Sequence, residues 1–185
     1  MALTDKLTNI ADAIRSKTGN TDSLTLDAMP SAIKNIESGV ISDDFANSII
    51  DRSINTLTPE DLAGVTKIGD NAFANCALKT VTIGPNISSI GKGAFYDCTW
   101  LTSVILPEGL TTIDFESFSG CIKLKTISIP SSVTLIQYMA FNGCTALTDI
   151  YYAGTAEQWA AISKGGSNPA LTNATIHYNS IGGNT

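Results

Sequence analysis

The stretch from Cys121 to Cys144, CIKLKTISIPSSVTLIQYMAFNGC, closes on an isoleucine, four residues, a phenylalanine, two residues and a cysteine. The same closing phrase occurs at Ile68, Phe73 and Cys76, at Ile90, Phe95 and Cys98, at Ile113, Phe118 and Cys121, and at Ile136, Phe141 and Cys144. The steps between cysteines are 22, 23 and 23 residues. A fixed period of this length is the mark of stacked supersecondary units, each too small to bury its own apolar face. A residue that recurs in register is therefore a packing residue first, and the four phenylalanines are expected to line up in one column.

Within each unit a leucine follows the cysteine, and two apolar residues then alternate: Leu78, Val81, Ile83; Leu101, Val104, Leu106; Leu124, Ile127, Ile129; Leu147, Ile150, Tyr152. Alternation over so few residues predicts a short strand with one buried face. Pro85, Pro107 and Pro130 end the strand in three units, where a missing N–H denies the ladder a donor and fixes the bend. Ile87, Leu110 and Val133 return the chain to the core. The 22-residue step comes from one residue fewer between Cys76 and Leu78, a deletion placed in a turn. Strands recurring at one period pair in parallel with the strand one turn away, about 4.8 Å distant.

The flanks differ. Leu3, Leu7, Ile10 and Ile14 step as one face of a helix, and Ile33 and Ile36 form the face of a second short helix begun by Pro30. Helices this short are marginal alone, so the segment 1–39 is predicted to anchor the chain to a partner and to form homo-oligomers. Residues 40–66 are apolar enough to cap an open solenoid end. Residues 67–152 are the repeats. Residues 153–185 carry a predicted helix from Glu157 to Ile162, a loop at Ala170–Leu171 and a last strand at Ala174–Tyr178, read as a C-terminal cap with a tail. The fold expected is an α/β repeat solenoid with short parallel strands.

Composition narrows the function. Net charge is −6 and the 11 basic residues are scattered, so no nucleic-acid partner is expected. No run approaches the roughly 18 apolar residues of a membrane span, so no membrane insertion is expected. The start, Met-Ala-Leu-Thr-Asp-Lys-Leu, lacks an apolar run behind a basic region, and the expectation is synthesis in a cytoplasm without a secretion signal.

The four cysteines sit in one repeat slot and read as reduced core packing. No metal or other cofactor is expected: there is no Cys-x-x-Cys, and the single histidine, His177, lies 33 residues past Cys144. No catalytic residue is assigned. A nucleophile–histidine arrangement would have to use His177, which reads as a structural residue of the cap, and nothing cationic recurs beside the cysteines to activate them. The stretch Gly84–Lys92 ends like a phosphate loop but has six residues between its glycines, not four.

The unit Cys-x-x-Leu-x-x-Ile-x-Ile-Pro-x-x-Val-x-x-Ile-x-x-x-Ala-Phe-x-x-Cys, seen best at Cys121 to Cys144, resembles the BspA-like leucine-rich repeat. Tyr151-Tyr152-Ala-Gly-Thr-Ala-Glu-Gln-Trp159, followed by Ala174 to Tyr178, looks like the cap that follows such repeats. Three positions depart from the pattern: Ser117 stands for alanine, Gly84 for the strand-end proline, and Asp114 for glycine. The N-terminal stretch Leu3 to Gly19, with Met29 to Ile33, is similar to the start of tail and other virion proteins of tailed phages infecting Gram-positive bacteria. The combination implies a non-enzymatic virion structural protein (fibre, baseplate or capsid appendage). Other virion proteins would be partners through the N-terminal segment, and a host-surface glycan or protein would be the ligand. Trimers are the usual symmetry of such fibres. The alternative is a bacterial cell-surface or secreted adhesin of the same repeats.

The binding surface is sought where the core does not dictate the residue. One such row is Thr82, Ile105, Ser128 and Tyr151, on the outward face of the strands; another includes Phe115 and Tyr138; Trp100 and Tyr96 occupy further variable slots. Exposed aromatics are the usual anchors of a recognition surface. Trp100, Ile105, Phe115, Tyr138, Tyr151 and Tyr96 are the candidate contact residues.

Overall fold

The computed structural model describes residues 40–41, 56–62 and 64–180. The helices read at residues 1–39, with Leu3, Leu7, Ile10, Ile14, Ile33 and Ile36, lie outside the described residues, as do most of the 40–66 stretch and the tail.

Each repeat contributes two strands, and like strands of successive turns pair in parallel. The main sheet runs in the order β12-β10-β8-β6-β4-β2, made of Thr56–Leu57 (β2), Thr80–Thr82 (β4), Ser103–Ile105 (β6), Thr126–Ile129 (β8), Asp149–Tyr152 (β10) and Thr175–Tyr178 (β12). Its register joins residues one repeat apart: Val81 to Val104, Val104 to Ile127, Ile127 to Ile150. The alternation read in the sequence sets this register, since a slip of one residue would turn Val104 and Ile127 to water. A second ladder was not foreseen. Val40–Ile41 (β1), Lys67–Ile68 (β3) and Ser89–Ile90 (β5) form one short parallel sheet, and Thr112–Ile113 (β7), Leu135–Ile136 (β9) and Ser163–Lys164 (β11) form another. The isoleucine that opens the repeat phrase is the inward residue of β3, β5, β7 and β9.

Between the second ladder and the cysteine the chain is turn, not helix. Two residues per unit take left-handed backbone angles, two positions before and two after the phenylalanine: Asn71 and Asn75, Gly93 and Asp97, Glu116 and Gly120, Met139 and Gly143. Left-handed residues interrupt an α-helix. The expectation of an α/β solenoid is thereby corrected. The repeats are a β-solenoid, and among the described residues the helices are two short ones in the C-terminal region.

The inward columns are stacked, not merely apolar. Phe73, Phe95, Phe118 and Phe141 form one pile with centroid separations of 5.3, 5.3 and 5.6 Å and rings within 9° of parallel. The cysteines are free and buried. Each of the last three donates its thiol to the carbonyl of the phenylalanine one turn back: Cys98 to Phe73 at 3.0 Å, Cys121 to Phe95 at 3.2 Å, Cys144 to Phe118 at 3.1 Å. The same carbonyls already accept the backbone N–H of the cysteine in their own unit. A carbonyl has two lone pairs, and a small apolar side chain with one weak donor fills the second. Cysteine is thus asked for by hydrogen bonding as well as by volume.

The three departures from the repeat have local causes. Ser117 is fully buried and its hydroxyl donates to the carbonyl of Asp114 at 2.9 Å. The Asp114 carboxylate accepts the N–H of Phe115 at 2.7 Å. At Gly84 a Cβ would come within 2.9 Å of the Pro59 ring, so the strand-end proline has no room there.

The C-terminal end is closed by a loop that imitates another turn. Helix α1, Ala156–Ala161, is held by a reciprocal cap in which Thr155 and Gln158 bond each other's backbone N–H. Its Trp159 packs edge-on against Tyr152, centroids 5.2 Å apart. Pro169–Asn173, read as a loop at Ala170–Leu171, is a short helix, α2, with proline at its first turn, where no N–H is needed.

Asn168 precedes α2. In the repeats, the N–H of Phe73, Phe95 and Phe118 donates to a backbone carbonyl of the next unit; at Phe141 the acceptor is Asn168 Oδ1, at 2.8 Å. The amide nitrogen of Asn168 donates to the carbonyls of Gln137 and Gly165, at 2.9 and 2.8 Å, and to Gly166 at 3.3 Å. One side chain supplies the hydrogen bond that a further repeat would have made.

Candidate functional site

Because like residues of successive turns sit side by side, every outward position becomes a row across the solenoid. Residues Thr82, Ile105, Ser128 and Tyr151 follow one another in register on the main sheet, and β12 extends the row to His177. The companion row is Thr80, Ser103, Thr126, Asp149 and Thr175. Hydroxyls bond along it, from Thr126 to Ser103 at 3.2 Å and from Thr80 to Thr56 at 3.1 Å.

At the C-terminal end of these rows three side chains form one cluster. The Tyr151 and His177 rings stack with centroids 4.7 Å apart, while His177 Nε2 lies 2.8 Å from Asp149 Oδ1. Thr148 donates its hydroxyl to the other Asp149 oxygen at 2.7 Å. The His177 contact, and after it the Thr148 hydroxyl, hold the Asp149 carboxyl below its ordinary range. An Asp–His pair alone moves no bond. Among the described residues no group of three or more histidine, cysteine or acidic residues could hold a metal ion.

The thiols of Cys76, Cys121 and Cys144 are held in the protonated form, which is the poorer nucleophile. Burial pushes Cys144 up to about 12, and burial first, then the neighbouring thiols of Cys98 and Cys144, raises Cys121 further. At Cys76 the hydrogen bond with the Cys98 side chain leads, and burial adds to it.

The six candidate contact residues divide among several segments of the turn. Ile105 and Tyr151 are half-buried and outward on the main sheet. Trp100 sits in the turn leading into that sheet and is 53% exposed. The ammonium of Lys123, one turn on, lies 3.4 Å from its ring centroid, a cation–π contact that covers one face. Phe115 and Tyr138 follow the second ladder; they are exposed and stacked on each other, centroids 6.2 Å apart at 16°. Tyr96 is half-buried, just past the phenylalanine of its unit.

Sequence reading missed Ile122, 48% exposed beside Lys123, and the Asp149–His177 pair. The signal for the latter was present. Thr175-Ile-His-Tyr178 repeats the apolar spacing of Asp149-Ile-Tyr-Tyr152, so His177 belongs in the row of Tyr151. Nothing periodic marks Asn168.

A family profile described as "BspA type Leucine rich repeat region (6 copies)" matches residues 66–163, just over half of the chain. Among solved structures, a leucine-rich repeat protein of T. pallidum is 27% identical with a TM-score of 0.53, over 63% of this chain and 53% of that one. A leucine rich cell surface protein of Faecalibacterium prausnitzii A2-165 is 34% identical with a TM-score of 0.46, over 59% of this chain and 35% of that one. The chain thus spans between about a third and a half of the length of these solved relatives. No curated protein matches it. No helix among the described residues is long and apolar enough to cross a membrane.

Proposed function

The chain belongs to the BspA-type leucine-rich repeat family, and we propose that it is a non-enzymatic recognition module whose outward rows bind a surface glycan or protein. A β-solenoid of this family is suited to protein–protein binding or surface adhesion. The observation that carries the proposal is the exposure of Trp100, Phe115 and Tyr138 at slots where the core columns do not dictate the side chain. Large aromatics left in water, each supported on one face by a neighbour, are rigid anchors for a partner.

The module is displayed on a phage particle, with the segment 1–39 joining it to other virion proteins and assembling it as a homo-oligomer. What supports this placement is the likeness of Leu3 to Gly19 and Met29 to Ile33 to the start of virion proteins. A bacterial cell-surface adhesin uses the same outward rows equally well, and the family match is equally consistent with that second reading. Immunogold labelling separates them: gold on purified virions supports the first, and gold on uninfected cells carrying the gene overturns it.

The recognition surface is tested with Trp100→Ala, Phe115→Ala and Tyr138→Ala combined. Each anchor contributes about 2 kcal/mol as a hot spot, so the triple variant loses adsorption by about ten-thousandfold while its melting curve moves little. Normal adsorption by a folded triple variant overturns the proposal.

A further inference from the structure

The main sheet ends on β12, and the last rung of the core ends with it. Ile176 pairs with Ile150 and Tyr178 with Tyr152, so both are inward residues by register. Ile150 and Tyr152 are buried, whereas Ile176 is only partly buried and Tyr178 is 39% exposed. Among the described residues no strand pairs with the far side of β12.

The backbone edge is open at the same place. Thr175 donates its N–H to Thr148 O at 2.8 Å, on the β10 side. Main-chain groups alternate in direction along a strand, so His177 also faces β10, while Ile176 and Tyr178 turn their N–H and C=O groups away from it. Exposed edge strands are ordinarily guarded by lysine, proline or a bulge. The stretch Ala174-Thr-Ile-His-Tyr178 holds no proline and no lysine, arginine or acidic residue. It pairs with β10 at four consecutive residues, without a bulge.

The other end of the sheet is unlike this one. The inward residue of β2, Leu57, is buried, so head-to-tail stacking finds no matching open rung there. A strand that suits β12 must place apolar side chains on every second residue of its inner face and bring no charge between them. The strand β12 meets that requirement itself. Laid antiparallel about a two-fold axis at His177, Ile176 falls opposite Tyr178 of the second copy, and Tyr178 opposite its Ile176. Each of these pairs exchanges two main-chain hydrogen bonds, giving about four across the axis. An aromatic ring beside a β-branched side chain is also a favourable cross-strand pair. Between them His177 meets His177 of the second copy in a non-hydrogen-bonded pair, each with its own Asp149 beside it.

We propose that β12 is a dimerisation edge, through which two copies of the chain join their main sheets antiparallel along Thr175–Tyr178. The contact is isologous and closes after two copies. It is separate from the segment 1–39 and does not depend on what the outward rows bind. It runs the outward row that ends at His177 straight on into the same row of the second copy.

The test is site-specific disulfide trapping on the full chain, with diamide as oxidant and a non-reducing gel as readout. His177→Cys places two thiols across the axis, where Cα atoms about 4.5 Å apart lie within the span of a disulfide. Thr175→Cys is the control: it lies on the same strand, but the register sets it about 13 Å along the strand from its counterpart. The four native cysteines are buried. The His177 variant forms covalent dimer about tenfold faster than the Thr175 variant, or more. Adding Tyr178→Pro brings it down to the control rate. That proline removes an N–H on the open edge, where proline is tolerated, so the fold survives. Tyr178→Lys, which leaves the backbone unaltered, does the same by guarding the edge with charge. No covalent dimer from the His177 variant, equal rates at positions 177 and 175, or trapping that survives both Tyr178 substitutions overturns the interface. Association through the segment 1–39 alone gives no preference for position 177, so the two modes of assembly are told apart.

Discussion

Replacing Asn168 by alanine removes four hydrogen bonds at once, one accepted from Phe141 N and three donated to carbonyls. The Phe141 N–H is buried and its bond is replaced by nothing, since the loop brings no other acceptor in register. An orphaned buried donor costs about 1–3 kcal/mol, and a net hydrogen bond contributes about 1 kcal/mol. Gln137, Gly165 and Gly166 are half-exposed or exposed, and the Gln137 and Gly166 carbonyls keep the N–H of Ala140 and Met139, so these three bonds together add about 1 kcal/mol. The expected loss is about 3 kcal/mol, which for a chain of this size lowers Tm by about 6–12 °C. Asn168→Asp divides the effect. It keeps the acceptor for Phe141 but sets a carboxylate against three carbonyl oxygens, so it is at least as destabilising as alanine at pH 7. Below the carboxylate range a protonated aspartic acid regains one donor, and the variant recovers part of its stability. Thermal melts at pH 7 and pH 3, each against the parent at the same pH, together with amide exchange at Phe141 and Met139, check this. Solenoid stability is a sum of neighbouring terms, so exchange accelerates in the last repeat before the first. An alanine variant that melts within about 1 °C of the parent, with the Phe141 amide still protected, refutes the reasoning.

Glu116 holds a left-handed backbone at φ 53°, in the slot where a neighbouring unit has Gly93. Glu116→Gly removes a strain of about 1–2 kcal/mol and adds about 0.5–1 kcal/mol of unfolded-state entropy, so Tm stays level or rises by up to about 4 °C; a fall in a scanning-calorimetry trace contradicts it. The four buried thiols do not react with Ellman's reagent at pH 8 in the folded chain and all react in guanidinium; a thiol labelled within minutes in the native state would show that the column is not closed. His177→Ala raises the Asp149 pKa towards its ordinary value of about 3.9, read by carbon-13 carboxyl titration. Since that pKa is lowered by folding, the pair's contribution is present above about pH 3.9 and is lost as pH falls through the folded value. An unmoved Asp149 titration in the alanine variant would refute the pairing.

How much of this was legible follows from which contacts repeat. Phe118 is stacked on the same residue type above and below, so its column is written into the period and can be read without coordinates. Ile113 and Ile136 are as regular, yet their strand was missed because two residues are too few to show alternation. The left-handed positions were hidden for a different reason. Asn71, Gly93, Glu116 and Met139 share a backbone conformation but not a residue type, and only asparagine and glycine advertise it. Asn168 could not be found at all, because a cap happens once and periodicity is the only signal the chain offers. Asp149 and His177 fell between these cases: the spacing of the last strand carries them into register, but only once that strand is treated as one more rung.

The same division decides where recognition can reside. The inward columns are tied to one another through stacked rings and thiol–carbonyl bonds, so a change at Phe95 or Cys121 is felt by the turns on both sides. The outward rows have weaker lateral ties: Thr82, Ile105, Ser128, Tyr151 and His177 share a row with five different side chains and one uniform backbone register. The stack therefore separates the inward residues that hold it together from the outward ones, and apart from Ser128, which is buried, substitutions in the outward row leave stability nearly untouched. The exceptions lie at the end of the stack. There Tyr151 leans on His177 and Tyr138 stands over Gly166, so the last turn and its cap are parts of one surface. Damage to the cap at Asn168, remote from any exposed aromatic in sequence, should for that reason weaken binding at Tyr138 while leaving Trp100 and its Lys123 partner in place.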